Sequence, residues 1–325
     1  MVWCDRVHGQ ELAIGLLQSA LEQDRLAQSY LFFGPEGVGK KLTALALAMA
    51  VQCQEGFGIG CGVCDSCQKL LRGSHGDWHF IEPSGNFIRI DQIRELQSVM
   101  WLRPFTGRRR IAVLDPAERM NEPAANALLK LLEEPPGDSL VILISTTPTQ
   151  LLPTIRSRCH PVRFTTLSHH ELSKVLPLGL PEEQQALLLR NAQGSQGRLW
   201  KLLQDEEWEE QRRQGITWYI QEPTWDTWQR IHFAAEQENN WKERESWRQL
   251  WALWQSLTRD RLMLVRGAAV ATLWNPDTAP SLLNMPLLGS AALEQRLAQL
   301  HEALIQLQTN TSPRLIAETL LLGWQ

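Results

Sequence analysis

Long apolar runs are missing from this 325-residue chain. No stretch approaches the ~18 residues that a membrane-spanning helix needs, so no membrane partner is expected. A dominant charge is missing too. The net charge of −4 provides no field for blanket polyanion binding, and any nucleic-acid contact has to be local. Cysteine is sparse, and four of the six fall within fifteen residues, a clustering that argues for a metal site and against a disulfide framework. The first residues, Met-Val-Trp-Cys-Asp-Arg, lack the basic-then-apolar pattern of a secretory leader, and a cytoplasmic location is expected. A hydrophobic content of 43% with 21% charged residues is that of a soluble globular protein long enough for two or three domains.

What is present is organised around residues 31–43. An apolar run ends in Gly34-Pro35-Glu36-Gly37-Val38-Gly39-Lys40, and a helical run follows at once. Gly34, four residues, Gly39 and Lys40 have the spacing of a phosphate-binding P-loop. The glycines, Gly37 among them, let successive N–H groups turn toward an anion, and Lys40 adds a point charge. ATP or ADP is the implied ligand. The hydroxyl that should follow the lysine and hold Mg²⁺ is missing, because Lys41 stands there. An ammonium repels a cation, so Mg²⁺ is doubtful. The second metal-side element is also altered. Ile111-Ala112-Val113-Leu114-Asp115 has the form of a buried strand ending in an acid, yet Pro116 replaces the adjacent catalytic glutamate, and the next acid is Glu118. Leu140 to Ile144 is another buried strand, and Thr146 just beyond it is a candidate γ-phosphate sensor.

Cys53, Cys61, Cys64 and Cys67 form two overlapping C-x-x-C pairs with a fourth thiol upstream. That pattern predicts a closed tetrahedral Zn²⁺ site of structural character. His75 and His79 lie nearby but are not needed as ligands. Helices are predicted from Gly9 to Ala27 with Leu12, Leu16, Leu17 and Leu21 on one face, from Asp91 as N-cap, and from Ala124 to Glu134. Arg103 and Arg108 to Arg110 form a basic cluster read as a solvated turn, with phosphate or DNA contact as the alternative. Buried strands alternating with helices define a parallel, doubly wound α/β domain. Beyond about residue 212 strand signals fade and tryptophan becomes dense, with nine of the fourteen between Trp200 and Trp254. Trp247, Trp251 and Trp254 fall on one helix face, which predicts an all-α module. Asn275 to Pro286 reads as a flexible loop.

The P-loop, the four cysteines, Asn126-Ala127-Leu128-Leu129-Lys130-Leu131-Leu132-Glu133-Glu134-Pro135 and Ser157-Arg158-Cys159, in that order, resemble a bacterial DNA polymerase III clamp-loader subunit of the AAA+ class. The resemblance covers residues 5 to about 215. It implies an AAA+ RecA-like α/β domain over 1–166 with the zinc knuckle at 53–67, a three-helix lid over 167–211, and an all-α collar over 212–325. Within the family, motor subunits carry Gly-Lys-Thr and Asp-Glu. Lys41 and Asp115-Pro116 place this chain with the non-motor subunits. Arg158 would then act in trans as an arginine finger on a neighbour's ATP, with Arg156 as a less favoured neighbour. Arg198 is a weak candidate nucleotide sensor, one residue beyond the place that Gly197 occupies.

The partners implied are gamma/tau-type motor subunits and a delta subunit in a hetero-oligomeric ring, primed DNA indirectly or weakly, and the sliding clamp weakly if at all. The expected role is a stator with little ATPase of its own, inside a holoenzyme to which any DNA-directed DNA polymerase label would belong. A competent ATPase of the same class and a P-loop kinase with a zinc lid are the two rival readings.

Overall fold

The computed structural model describes residues 3, 7–177, 179–205, 207–240, 244–307, 309 and 311–324. Trp241 lies outside the described residues. The chain forms two compact units, Met1–Lys201 and Leu202–Gln325. No described helix is long and apolar enough to cross a membrane.

The first unit runs α1 (Glu11–Glu22), β1 (Ser29–Phe33), α2 (Lys40–Gln52), α3 (Asp65–Leu71), β2 (Trp78–Ile81), α4 (Ile90–Met100), β3 (Arg110–Leu114), α5 (Glu122–Glu133), β4 (Ser139–Ser145), α6 (Pro153–Arg156), β5 (His160–Arg163), α7 (His169–Ser173), α8 (Glu182–Ala192) and α9 (Gln196–Gln204). The five strands make one sheet in the order β2-β3-β4-β1-β5, every pairing parallel. Parallel strands need crossover helices, which cover both faces. That is why β3 and β4 are near-continuous apolar runs, buried along their length. Successive side chains leave a strand on opposite sides. Tyr30, Phe32, Ile111, Val113, Leu140 and Ile142 therefore enter one core, with α1 and α2. Leu31, Ala112, Leu114, Val141 and Leu143 enter the other, with α4 and α5. Helix α2 is buried on nearly every side, as its unbroken Ala/Leu/Met run requires.

Several sequence expectations change here. Helix α1 is shorter than predicted and turns only Ala13, Leu17 and Leu21 inward; Leu12 is 89% exposed, because α1 packs on one flank only. Arg89, not Asp91, is the N-cap of α4. Arg110 is no solvated turn residue. It is 8% exposed and donates to the carbonyls of Leu102 (3.0 Å) and Arg103 (2.9 Å). Its neighbour Asp77, fully buried, accepts backbone N–H bonds from Phe105, Thr106 and Gly107. Burial pushes the Asp77 carboxyl up, but those three donors and Arg110 outweigh it and hold it below the usual carboxylate range.

Among its described residues the second unit is helical: α10 (Trp208–Gln221), α11 (Thr227–Asn240), α12 (Arg244–Val265), α13 (Ala279–Leu283), α14 (Ser290–Gln306) and α15 (Pro313–Leu322). Trp247, Trp251 and Trp254 are core residues; Trp254 packs against Tyr219, Phe233 and Trp324 and donates its indole N–H to Gly215 O at 3.0 Å. The segment read as a flexible loop is instead anchored. Asn275 is 2% exposed and joined through its backbone and side chain to the buried carboxylate of Asp260. The region continues into a 3₁₀ turn and α13.

No sequence pattern marked Glu222, which is 1% exposed and pairs with Arg230 at 2.8 Å and Arg296 at 2.9 Å. The same two guanidinium groups donate to Leu321 O and Trp324 O at the end of α15, where the helix dipole favours cations. Removing one member of such a set leaves buried charge uncompensated. Glu222→Ala is expected to cost about 3–5 kcal/mol, measured as a shifted urea midpoint of the full chain followed by circular dichroism. A shift near zero would mean that the arginines are neutralised elsewhere.

Candidate functional site

Because all five strands are parallel, their carboxyl ends share one edge, the place where α/β sheets bind ligands. The loop after β1 lies between the ends of β4 and β5. Gly34 N–H donates to Ser145 O at 3.2 Å. Gly34, with φ +147°, passes so close to β5 that a Cβ would lie 2.2 Å from Phe164 O. Gly37 and Gly39 also have positive φ. Gly37 meets the start of α9: its carbonyl accepts the Gly197 N–H at 2.8 Å, and a Cβ on it would strike Ser195 Oγ at 2.2 Å. The loop has the P-loop shape, with the N-terminus of α9 packed on its outer side.

The charged residues of the loop are tied down locally. Lys40 is 6% exposed, and its ammonium donates to the loop's own carbonyls, Gly34 O at 2.7 Å and Pro35 O at 2.5 Å. Burial lowers its pKa, against the opposing pull of Asp115, Glu118 and Glu36. Lys41 leaves α2 in another direction. Its ammonium sits 3.9 Å from the centroid of the Phe80 ring and 3.2 Å from Glu82 Oε1, at the end of the edge strand β2. Asp115 stands beyond β3, its carboxyl pushed up by burial and pulled down by Lys41 and Lys40.

Thr146, the candidate sensor, is engaged. Its N–H and hydroxyl both donate to Glu118 Oε1, at 2.9 and 2.6 Å. Burial pushes the Glu118 carboxyl up, but the Thr146 bonds outweigh it and hold it low. Glu118 was visible in the sequence as the next acid after Asp115, but nothing local assigned it to Thr146. Arg198 directs Nη1 to Gln193 Oε1 at 3.2 Å. Gly34, Gly37, Gly39, Lys40, Asp115 and Thr146 thus gather at one sheet edge; the Lys41 ammonium is held by Glu82 and Phe80 beside β2, and its charge still reaches Asp115.

Arg158 lies apart from the P-loop residues in sequence, just after α6. It is exposed, with its guanidinium bound to Glu133 Oε1 at 2.8 Å and to Thr154 O at 3.0 Å.

The four cysteines converge. Cys53 caps the end of α2, Cys61 lies in the glycine-rich turn, Cys64 is the N-cap of α3, and Cys67 lies in its first turn. Their sulfurs all lie within 4.8 Å of one another. A Zn–S bond of ~2.3 Å puts tetrahedral sulfurs about 3.8 Å apart, so the set fits a metal ion of zinc's size. Backbone N–H groups of Cys61, Cys64 and Cys67 donate to the Sγ of Cys53, Cys61 and Cys64 at 3.4–3.5 Å, bonds that favour thiolate. Cys61 is lowered to about 7 by the N–H groups of Cys64 and Val63. His75 stays out of the set. Its Nδ1 accepts from Asp77 N–H and its Nε2 meets Ser66 Oγ at 3.0 Å, and burial lowers its pKa.

Residues 9–168 match the family described as DNA polymerase III, delta subunit. The chain is 43% identical over 158 residues to the DNA polymerase III subunit delta' of Pseudomonas aeruginosa, covering 46% of this chain and 48% of that protein. It is 33% identical over 217 residues to the delta' subunit of Bacillus subtilis, covering 67% of this chain and 66% of that protein. The chain belongs to the delta-prime family of DNA polymerase III subunits. The aligned stretch spans about half of the Pseudomonas relative and about two thirds of the Bacillus one. The tau subunit of Escherichia coli is 34% identical over 197 residues, 58% of this chain and 30% of that protein.

Four thiolates leave no open position for water, so the cysteine set is suited to structure and not to hydrolysis. Cys64→Ser is expected to drop bound zinc from one per chain to well below half and to lower the melting temperature, because three thiolates bind far more weakly than four. Metal analysis of the purified variant checks this; full zinc content would remove Cys64 from the ligand set.

Proposed function

We propose that this chain is a non-motor, delta-prime-type subunit of a bacterial clamp loader. It acts as a stator for gamma/tau-type motor subunits and a delta subunit while the sliding clamp is placed on primed DNA. The observation that carries the reading is the direction of Lys41. The residue that should offer a metal-holding hydroxyl is an ammonium committed to Glu82 and Phe80, on the same side of the loop as an Asp115 with no adjacent glutamate. Phosphoryl transfer in P-loop proteins relies on that hydroxyl, on Mg²⁺ and on a residue that orients water. Two of these parts are missing from the sequence, and the third loses its ligand.

The phosphate cradle keeps its form. Gly34, Gly37, Gly39 and Lys40 would hold the phosphates of ATP or ADP, with Lys40 exchanging its bonds to Gly34 O and Pro35 O for phosphate oxygens. Hydrolysis does not follow, because Lys41 repels the metal and Glu118 is occupied by Thr146. The zinc module is structural. Helices α7–α9 form the lid and the helical unit forms the collar of the ring.

The chemistry that this chain supplies is Arg158 in trans. A guanidinium at the neighbour's γ-phosphoryl stabilises the charge spread over its oxygens. Arg158 is exposed, as a group acting on another subunit must be, and the side chain is held by two acceptors. DNA contact is indirect, since the net charge is −4 and Arg110 is committed to the interior.

The purified chain alone is expected to show Mg²⁺-dependent ATP turnover no higher than a Lys40→Ala control. Turnover at the level of a motor subunit would establish the rival reading, a competent ATPase. Arg158→Ala is expected to leave the melting temperature unchanged and to slow the ATP site it serves by about 10³-fold, read as turnover of the reconstituted complex with clamp and primed DNA. Unchanged turnover would reject the trans role.

A further inference from the structure

The guanidinium of Arg158 is anchored from behind by a residue of a different helix. Glu133, the last residue of α5, places Oε1 2.8 Å from Arg158 Nη2. The carbonyl of Thr154, on α6, accepts from Nη1 at 3.0 Å, and Ser157 Oγ lies 3.5 Å from the same nitrogen. No comparable partner is found for Arg156, two residues earlier, among the described residues.

We propose that Glu133 is the positioning residue for Arg158, fixing the guanidinium in the orientation that a neighbouring subunit's phosphate meets. This rests on the trans reading above. A guanidinium has five N–H donors in a planar fork. One on Nη2 is used by Glu133, and the two on Nη1 face Thr154 O and Ser157 Oγ. Two remain: Nε–H and one on Nη2. Those two are enough for contact with phosphoryl oxygens while Glu133 and Thr154 keep their hold. The long side chain then loses its rotamer freedom before the partner arrives, and orientation no longer has to be fixed during the encounter.

The geometry also accounts for the placement of the two ends. Glu133 is set by α5, whose Leu128, Leu131 and Leu132 are buried in the core. Arg158 follows α6, whose Ile155 is buried in the same core. The acid and the base are therefore fixed by packing on the same side of the sheet. The carboxylate acts through Arg158 and touches no substrate itself.

The test uses reconstituted complexes in which only the motor subunit served by Arg158 keeps an intact ATP site. Glu133→Ala is expected to lower kcat about tenfold, since a small misplacement of a catalytic group is costly, with KM for ATP unchanged. Glu133→Gln keeps an acceptor oxygen at the same place and is expected to recover most of that loss. In the Arg158→Ala background, Glu133→Ala is expected to cost nothing more, because the two residues act as one unit. Circular dichroism melting of each isolated variant is expected to match the parent.

Three outcomes would overturn the proposal. One is unchanged kcat in Glu133→Ala while Arg158→Ala is slow. Another is a loss in Glu133→Ala that adds fully to that of Arg158→Ala. The last is a loss accompanied by a lowered melting temperature and not recovered by Glu133→Gln. Unchanged turnover in Arg158→Ala itself would instead reject the trans reading on which the proposal rests.

Discussion

Parallel pairing of β1 with both β4 and β5 is the constraint on which the rest of the first unit depends. It brings the carboxyl ends of β3, β4, β1 and β5 to one edge. Everything that follows a strand is delivered there: the glycine loop, Asp115, Thr146 and Phe164. The loop can occupy that edge only because Gly34 has no Cβ to meet Phe164 O. A side chain at Gly34 would disturb the pairing of β1 and β5 and the shape of the glycine loop together. Fold stability and loop shape are thus coupled through one backbone contact.

Around this edge the charges are balanced locally. Lys40 turns to carbonyls of its own loop, Lys41 to Glu82 and Phe80, and Glu118 to Thr146. Each of these charged groups thus has a partner within the chain. The helical unit solves a different problem with similar means. Its core is dense in tryptophan, and the charged set of Glu222, Arg230 and Arg296 fastens the end of α15. Burial of that set is offset because Glu222 is paired with both guanidinium groups, which also reach the carbonyls of Leu321 and Trp324.

Much of this was legible in the residues. The apolar run of β1, the strands β3 and β4, the helix after the P-loop, the cysteine cluster and the tryptophan face of α12 are local patterns, set by side-chain periodicity and by glycine, proline and cysteine spacing over a few residues. Chain-local chemistry also marked Lys41 and Pro116 as departures. Misreadings came where periodicity alone could not tell which flank of a helix is covered, as at Leu12. They also came where a polar segment finds buried partners far along the chain, as at Asn275, whose anchor Asp260 is fifteen residues earlier.

The sequence by itself determined which elements form, in what order, and which reactive residues end each strand, because these follow from backbone preference and apolar spacing. Tertiary structure alone decided what those residues touch. Lys41 meets Glu82 across 41 positions, and Glu118 meets Thr146 across 28. Arg110 turns inward while Arg108 and Arg109 stay outside the pairing with Asp77, and Glu133 reaches Arg158 from a different helix. A pairing between distant residues depends on the distances and directions that packing sets at the sheet edge. No window of neighbouring residues contains them.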